Sequence, residues 1–183
     1  MGIFSKLFGK KDQNQPQQAE EIIPKLAIDV SQTPRKFQHF ADEIVPFLIE
    51  KLHEIHILEK EVYTRSRALK NPKEPNQVQP GEDELWDEYA ERRKAITAPI
   101  SVQPTDGGGT TFGKPTKYEY LYNVDTKIVF IMKSVKRVVV ELYFKKGVAC
   151  KDQFVLRKEG EHWKVHTKKY GFQGEDTWYK DDF

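Results

Sequence analysis

Glu50-x-x-His53-x-x-His56 is the run in this chain whose residue types and spacing come closest to metal ligation. A di-metal helical bundle needs Glu-x-x-His on two helices plus further carboxylates, and only one such run is present. A zinc HExxH helix places its histidines four residues apart, whereas His53 and His56 stand three apart. These residues therefore read as solvated positions on a helix face, and no metal is expected. Acid–base chemistry is the second option. Tyr118, Tyr120, Tyr122 and Tyr143, with Asp125 or Glu141 as the carboxylate, are the residue types that work together in an enclosed pocket, one as acid or base and one steadying an oxyanion. Their spacing matches a packed aromatic core with solvent-facing acids equally well, so catalysis stands here only as an alternative. Gly107-Gly108-Gly109-Thr110-Thr111 lacks the phosphate-loop pattern and leads into no helix that would aim backbone donors at a phosphate. It reads as a loop. Cys150, the single cysteine, excludes an internal disulfide and any CxxC motif; it reads as a small core residue where a strand begins.

The elements that must position these residues fall into two halves. From Pro34, apolar residues Phe37, Phe40, Ala41, Ile44, Leu48, Leu52, Ile55 and Val62 recur at three- and four-residue steps, which predicts a helix over 35–67 with one buried stripe. Thr33 before Pro34 reads as its N-cap, and Pro46 is expected to kink or divide it. Prolines 72, 75 and 80 mark a loop. A second helix is predicted over 82–97, with acids Glu82, Asp83 and Glu84 at its start and Arg92, Arg93 and Lys94 near its end, as the helix dipole favours. Its inner side is Leu85, Trp86, Tyr89, Arg93 and Ile96. Strands follow at 118–122, 127–132, 137–145 and 150–158, and a hairpin pairs 154–158 with 163–167 across a polar, glycine-containing turn. In 137–145, Val138, Val140, Leu142 and Phe144 face one way and Val139, Glu141 and Tyr143 the other. Helices followed by an antiparallel meander of about five strands give an α+β fold.

At 183 residues the chain holds one domain and a tail, divided here into residues 1–33 and a single domain over 34–183. Charged residues make up 32% and the formal net charge is +2. So small an excess argues against nucleic acid as the main partner. Residues 1–11 place Ile3, Phe4, Leu7 and Phe8 on one helical face among lysines, either a lightly docked end or a weak peripheral contact with a membrane surface. The segment fits neither a signal peptide nor the myristoylation pattern. Residues 12–21, rich in glutamine, read as a flexible linker. A cytoplasmic protein is expected, peripheral at the inner membrane if residues 1–11 act as an anchor.

The C-terminal residues Glu175, Asp176, Trp178, Tyr179, Asp181 and Asp182 set two aromatic rings among acids. That combination suits an interface in which a rigid anchor sits among charges that attract a basic partner; it suits a solvated chain end with Trp178 packed on a sheet edge as well. The phrases around it point further. Leu85-Trp86-x-x-Tyr89, Phe112-Gly113-Lys114-Pro115-Thr116-Lys117-Tyr118, Lys133-Ser134-x-Lys136-Arg137-Val138-x-Val140-Glu141, the hairpin and the closing KKYGF…TWYKDDF occur in this order over residues 81–183. Together they resemble immunity proteins of bacterial polymorphic toxin systems. That resemblance implies the nuclear-transport-factor-two-like (cystatin-like) cone, with N-terminal helices packed on a curved antiparallel sheet. It implies an antitoxin that binds and blocks a cognate toxin domain, one delivered by contact-dependent or type VI secretion. It implies no catalytic residue, no cofactor and no nucleic acid. The alternative is a small-molecule enzyme or ligand-binding protein using the pocket of the cone.

Overall fold

The computed structural model describes residues 22–74, 76–103, 114–115 and 117–183. The amphipathic residues 1–11, the glutamine-rich 12–21 and the glycine loop at 107–111 lie outside them. Strand β1 (Ala27–Asp29) is followed by a one-turn helix α1 (Arg35–Gln38) and the long helices α2 (Ala41–Leu69) and α3 (Glu82–Thr97). A 3₁₀ turn (Glu119–Tyr122) then leads into β2 (Lys127–Ser134), β3 (Arg137–Lys146), β4 (Val148–Glu159), β5 (His162–Phe172) and β6 (Tyr179–Asp181). The strands form one six-stranded sheet in sequence order. Neighbours from β2 to β6 are antiparallel, and β1 runs parallel to β2. The fold is α+β, with two helices packed against a mixed sheet.

The core follows from the apolar stripes. Ile44, Leu48, Leu52 and Ile55 of α2 are buried against Phe130, Val140, Leu142, Phe154 and Leu156 on one face of the sheet. Helix α3 adds a second cluster, in which its Leu85, Trp86 and Tyr89 meet Leu58 and Val62 of α2. Its contact with the rest of the protein is thus made largely through α2. Arg65 and Arg92, crossed with Glu61 and Glu88, clamp the same two helices from outside.

Several local expectations are corrected. The first helix is not divided at Pro46: the break falls at 39–40, and α2 continues through Pro46. Pro46 is only the sixth residue of α2, and the carbonyl it leaves without a donor belongs to Asp42, on the exposed side where water can reach it. Thr33 is no N-cap. Its hydroxyl donates to the carbonyl of Phe130 (2.7 Å) and accepts from the N–H of Met132 (3.0 Å), so it ties the approach to α1 onto β2. Residues 118–122 form a 3₁₀ turn, not a strand. Thr126 holds it, donating its hydroxyl to the Tyr120 carbonyl (2.6 Å), and the turn buries Tyr118, Tyr120 and Leu121 together, which strict alternation could not do. Finally, residues 22–33 carry β1, and Ile23, Leu26 and Val30 pack on the main core.

Candidate functional site

The most unusual chemistry lies inside, where charged side chains share the layer between α2, α3 and the sheet. Strand alternation turns Asp152 inward beside Phe154 and Leu156. Lys168 turns inward from β5, directly opposite Phe154. The Tyr120 hydroxyl donates to Asp152 Oδ2 (2.9 Å), and Lys168 Nζ stands 3.6 Å from the same oxygen. Lys168 also bonds Asp181 of β6. Lys117 completes the group, donating to Asp181 Oδ1 (3.3 Å) and to the Asp182 carbonyl (3.0 Å). On the helical side, Arg93 of α3 and Glu59 of α2 form a second buried pair (3.4 Å). Tyr118 lies wholly buried between the two groups, its hydroxyl without a hydrogen-bond partner among the described residues.

Burial and charge set the protonation behaviour of this layer. Desolvation raises the Asp152 carboxyl above its ordinary range, against the opposing pull of Lys168 and the Tyr120 bond. Desolvation likewise raises Glu59, despite Arg93. For Asp181, burial also pulls upward, but the charges and bonds of Lys168 and Lys117 outweigh it and the carboxyl ends below its usual value. Lys117 is lowered, first by burial and then by the neighbouring Lys168 charge. Tyr120 and Tyr118 are both held well above the ordinary phenol value, chiefly by burial. An acid with a raised pKa bonded to a tyrosine is a pairing that can do proton chemistry. Here the pair is packed, however: Tyr120 stacks on Phe144 at 3.9 Å between ring centres, and Phe183 stands edge-on to Phe154 at 5.9 Å.

The four tyrosines expected to share a pocket are dispersed. Tyr118 and Tyr120 line the inner layer. Tyr143 points to the opposite face of the sheet, where its hydroxyl donates to Glu141 (2.7 Å), and burial pushes it up to about 12. Asp125 is exposed in a turn, its N–H bonded to the Asn123 side chain. Tyr122 joins the histidines of α2. His53 Nδ1 and the Tyr122 hydroxyl lie 2.7 Å apart, and the His56 ring is 5.2 Å from the Tyr122 ring. The reading of both histidines as solvated is thus corrected: His56 is buried and His53 half-buried, because the 3₁₀ turn lays Tyr122 across that side of the helix, and only Glu50 is exposed. A cleft of about 660 Å³ opens beside them, lined by His56, Lys60, Tyr63, Lys114, Glu119 and Tyr122 among others. Among the described residues no group of three or more His, Cys, Asp or Glu side chains could hold a metal ion. Cys150 is half-buried, its thiol raised by burial.

The acidic and aromatic C-terminal residues do not form one surface. Residues 174–178 fold back over the sheet, where Lys151 bonds the Glu175 carbonyl and sets its ammonium 4.4 Å from the centre of the half-buried Trp178 ring. Tyr179 lies on the other face, stacked on Tyr170 at 5.2 Å. Asp181 is drawn into the interior. Glu175, Asp176, Tyr179 and Asp182 are exposed.

Sequence reasoning missed Asp152, Lys168 and Glu59. Asp152 was legible, since it shares parity with Phe154 and Leu156 in a strand that is otherwise apolar inward. No helix among the described residues is long and apolar enough to cross a membrane. The chain matches no family model, no curated protein and no solved structure.

Proposed function

We propose that this protein is a bacterial immunity protein of the nuclear-transport-factor-two-like type, which neutralises a cognate toxin by tight binding without catalysis. Its place of action is the cytoplasm, peripheral at the inner membrane where residues 1–11 make contact. The resemblance carried by residues 81–183 supports this reading, and two helices packed against a six-stranded mixed sheet are compatible with such a cone. The observation that carries it furthest is the filled interior. Tyr120 stacks on Phe144, Phe183 stands edge-on to Phe154, and Asp152 itself is bonded to Tyr120 and set against Lys168. A protein whose inner acid is enclosed in this way acts through its surface. On this reading the exposed Glu175 and Asp176, with the half-buried Trp178 beside them, form the partner surface, and Tyr179 on the other face of the sheet takes no part in it. Co-expression with the toxin encoded alongside it should rescue the host at about one molecule per toxin. Rescue far below that ratio would mean that a substrate is being turned over, and the reading would fail.

The second reading, a small-molecule enzyme or ligand-binding protein, is favoured by the cleft beside His56 and Tyr122. Its volume lies in the range that ligand sites occupy, roughly 300–1,000 Å³. His56→Ala would abolish function on that reading and leave toxin neutralisation unchanged on the first.

A further inference from the structure

The outer face of the sheet, opposite the helices, carries a charge distribution that the small net charge conceals. Register fixes which residues share it. One row runs Val129, Glu141, Gln153, Lys169, Lys180 from β2 to β6, and another runs Arg137, Arg157, Lys164 from β3 to β5. Lys127 and Lys133 belong to the same face of β2. Among the described residues, the side chains of Lys127, Lys133, Arg137, Arg157, Lys169 and Lys180 enter no ion pair or hydrogen bond, and all but the half-buried Lys169 are exposed. Carboxylates on the face are few. Glu141 is held by Tyr143 and Gln153, Glu159 is set against Lys164, Asp29 lies at the β1 edge, and Glu175 and Asp176 are confined to the 174–178 segment over Lys151 at one end. The balancing acids sit elsewhere, with Glu82, Asp83, Glu84, Asp87, Glu88 and Glu91 all on α3.

Within the ring of cations the face is apolar, where Val139 and Val155 lie side by side between Ile131 and Thr167. No described helix or strand packs on it, and residues 174–178 cover only its end at Lys151 and Gly171. A face that merely stays in solution mixes both signs evenly; this one has an apolar middle and a rim on which unpaired cations predominate. From this we infer that the outer sheet face is a docking surface for an acidic protein surface with an apolar centre. The pattern of dry core and charged rim is that of a protein–protein interface, and like-signed rim charges accelerate encounter with an oppositely charged partner. Single-stranded nucleic acid fits less well. It needs free aromatic faces for its bases, and the central row of Ile131, Val139, Val155 and Thr167 supplies none.

The inference does not depend on the toxin-neutralising reading, which co-expression tests separately. The full chain is titrated with two probes, a synthetic Glu/Asp-rich peptide with two central tryptophans and an oligothymidylate of matched charge. The peptide should bind more tightly than the oligothymidylate, and its affinity should fall as salt rises. Arg137→Glu with Arg157→Glu should weaken peptide binding by about tenfold or more, and the pair Arg137→Gln with Arg157→Gln by less. Arg67→Glu with Lys94→Glu, the same charge change on the helical side, should leave it unchanged. Thermal melts establish that each variant is folded. Absence of peptide binding, equal loss in the helical-side control, or tighter binding of oligothymidylate would each overturn the assignment.

Discussion

Tyr120 donates its hydroxyl hydrogen to Asp152 across 32 residues of chain, joining the 3₁₀ turn to the middle of β4 inside the core. Tyr120→Phe keeps the stack on Phe144 and removes only this bond. The variant should lose about 1–3 kcal/mol, because the buried carboxylate loses a donor that nothing replaces. It should also raise the Asp152 pKa further, since the bond, with the charges of Lys168 and Lys117, is one of the three influences holding it down. Denaturant unfolding and carboxyl titration by NMR check the two statements separately.

Asp152 gives a pH-dependent forecast with a defined sign. Its folded pKa lies above the ordinary 3.8, so the folded state holds this proton more tightly than the unfolded state does. Its contribution to stability is therefore fullest below 3.8 and declines as pH rises through the folded value. Asp152→Asn should remove that decline. Measured against the parent protein, the variant should compare best near neutrality and worst in acid, and the reverse trend would show that the lysine partners dominate.

Asp181 should behave oppositely. Its carboxyl is held low by Lys168 and Lys117, so the stability it supplies is present above the ordinary carboxylate value and lost as pH falls through the folded one. Asp181→Asn should destabilise the protein at neutral pH and approach the parent in acid.

Gly171 is a close-approach glycine, not a left-handed one. A Cβ there would meet the Thr177 carbonyl at 2.8 Å and the Lys151 Cε at 2.9 Å. Gly171→Ala should push the 174–178 segment off the sheet, at a cost of about 1–3 kcal/mol, and move Trp178 into water. A red shift in tryptophan emission before unfolding is the signature to look for.

Thr33→Val removes a buried donor and acceptor together, stranding the Phe130 carbonyl and the Met132 N–H. A loss of about 1–3 kcal/mol is expected, with Thr33→Ser close to the parent. Melting of the two variants side by side separates the hydroxyl from the methyl.

The contrast between what sequence showed and what it hid is instructive in β5. Helix α3 was readable to the residue, because acids at one end, bases at the other and an apolar stripe all agree. The β3 alternation was equally plain. Lys168 was not, since counting by twos from Trp163 and Val165 turns Thr167 inward. The irregularity opposite Val155 and Leu156 shifts the register there, and Lys168 faces the core instead. Likewise Thr33 offered a standard helix-start signal, and only the folded sheet reveals that a strand about a hundred residues away claims its hydroxyl. The split of the C-terminal aromatics falls where the 174–178 segment, with Trp178, passes into β6 at Tyr179, a strand of three residues that composition alone could not announce.

The parallel pairing of Ala27–Asp29 with Lys127–Val129 has a consequence for the order of assembly. On the ribosome β1 emerges before the other described strands, yet its partner follows about a hundred residues later, after both long helices. The hairpins β2 to β5 join near neighbours and close short loops, whereas β1 must wait and then close the longest loop in the sheet. The first strand made should thus be the last to gain protection, and pulse-labelled amide exchange during refolding would record it as a late-closing seam along one edge.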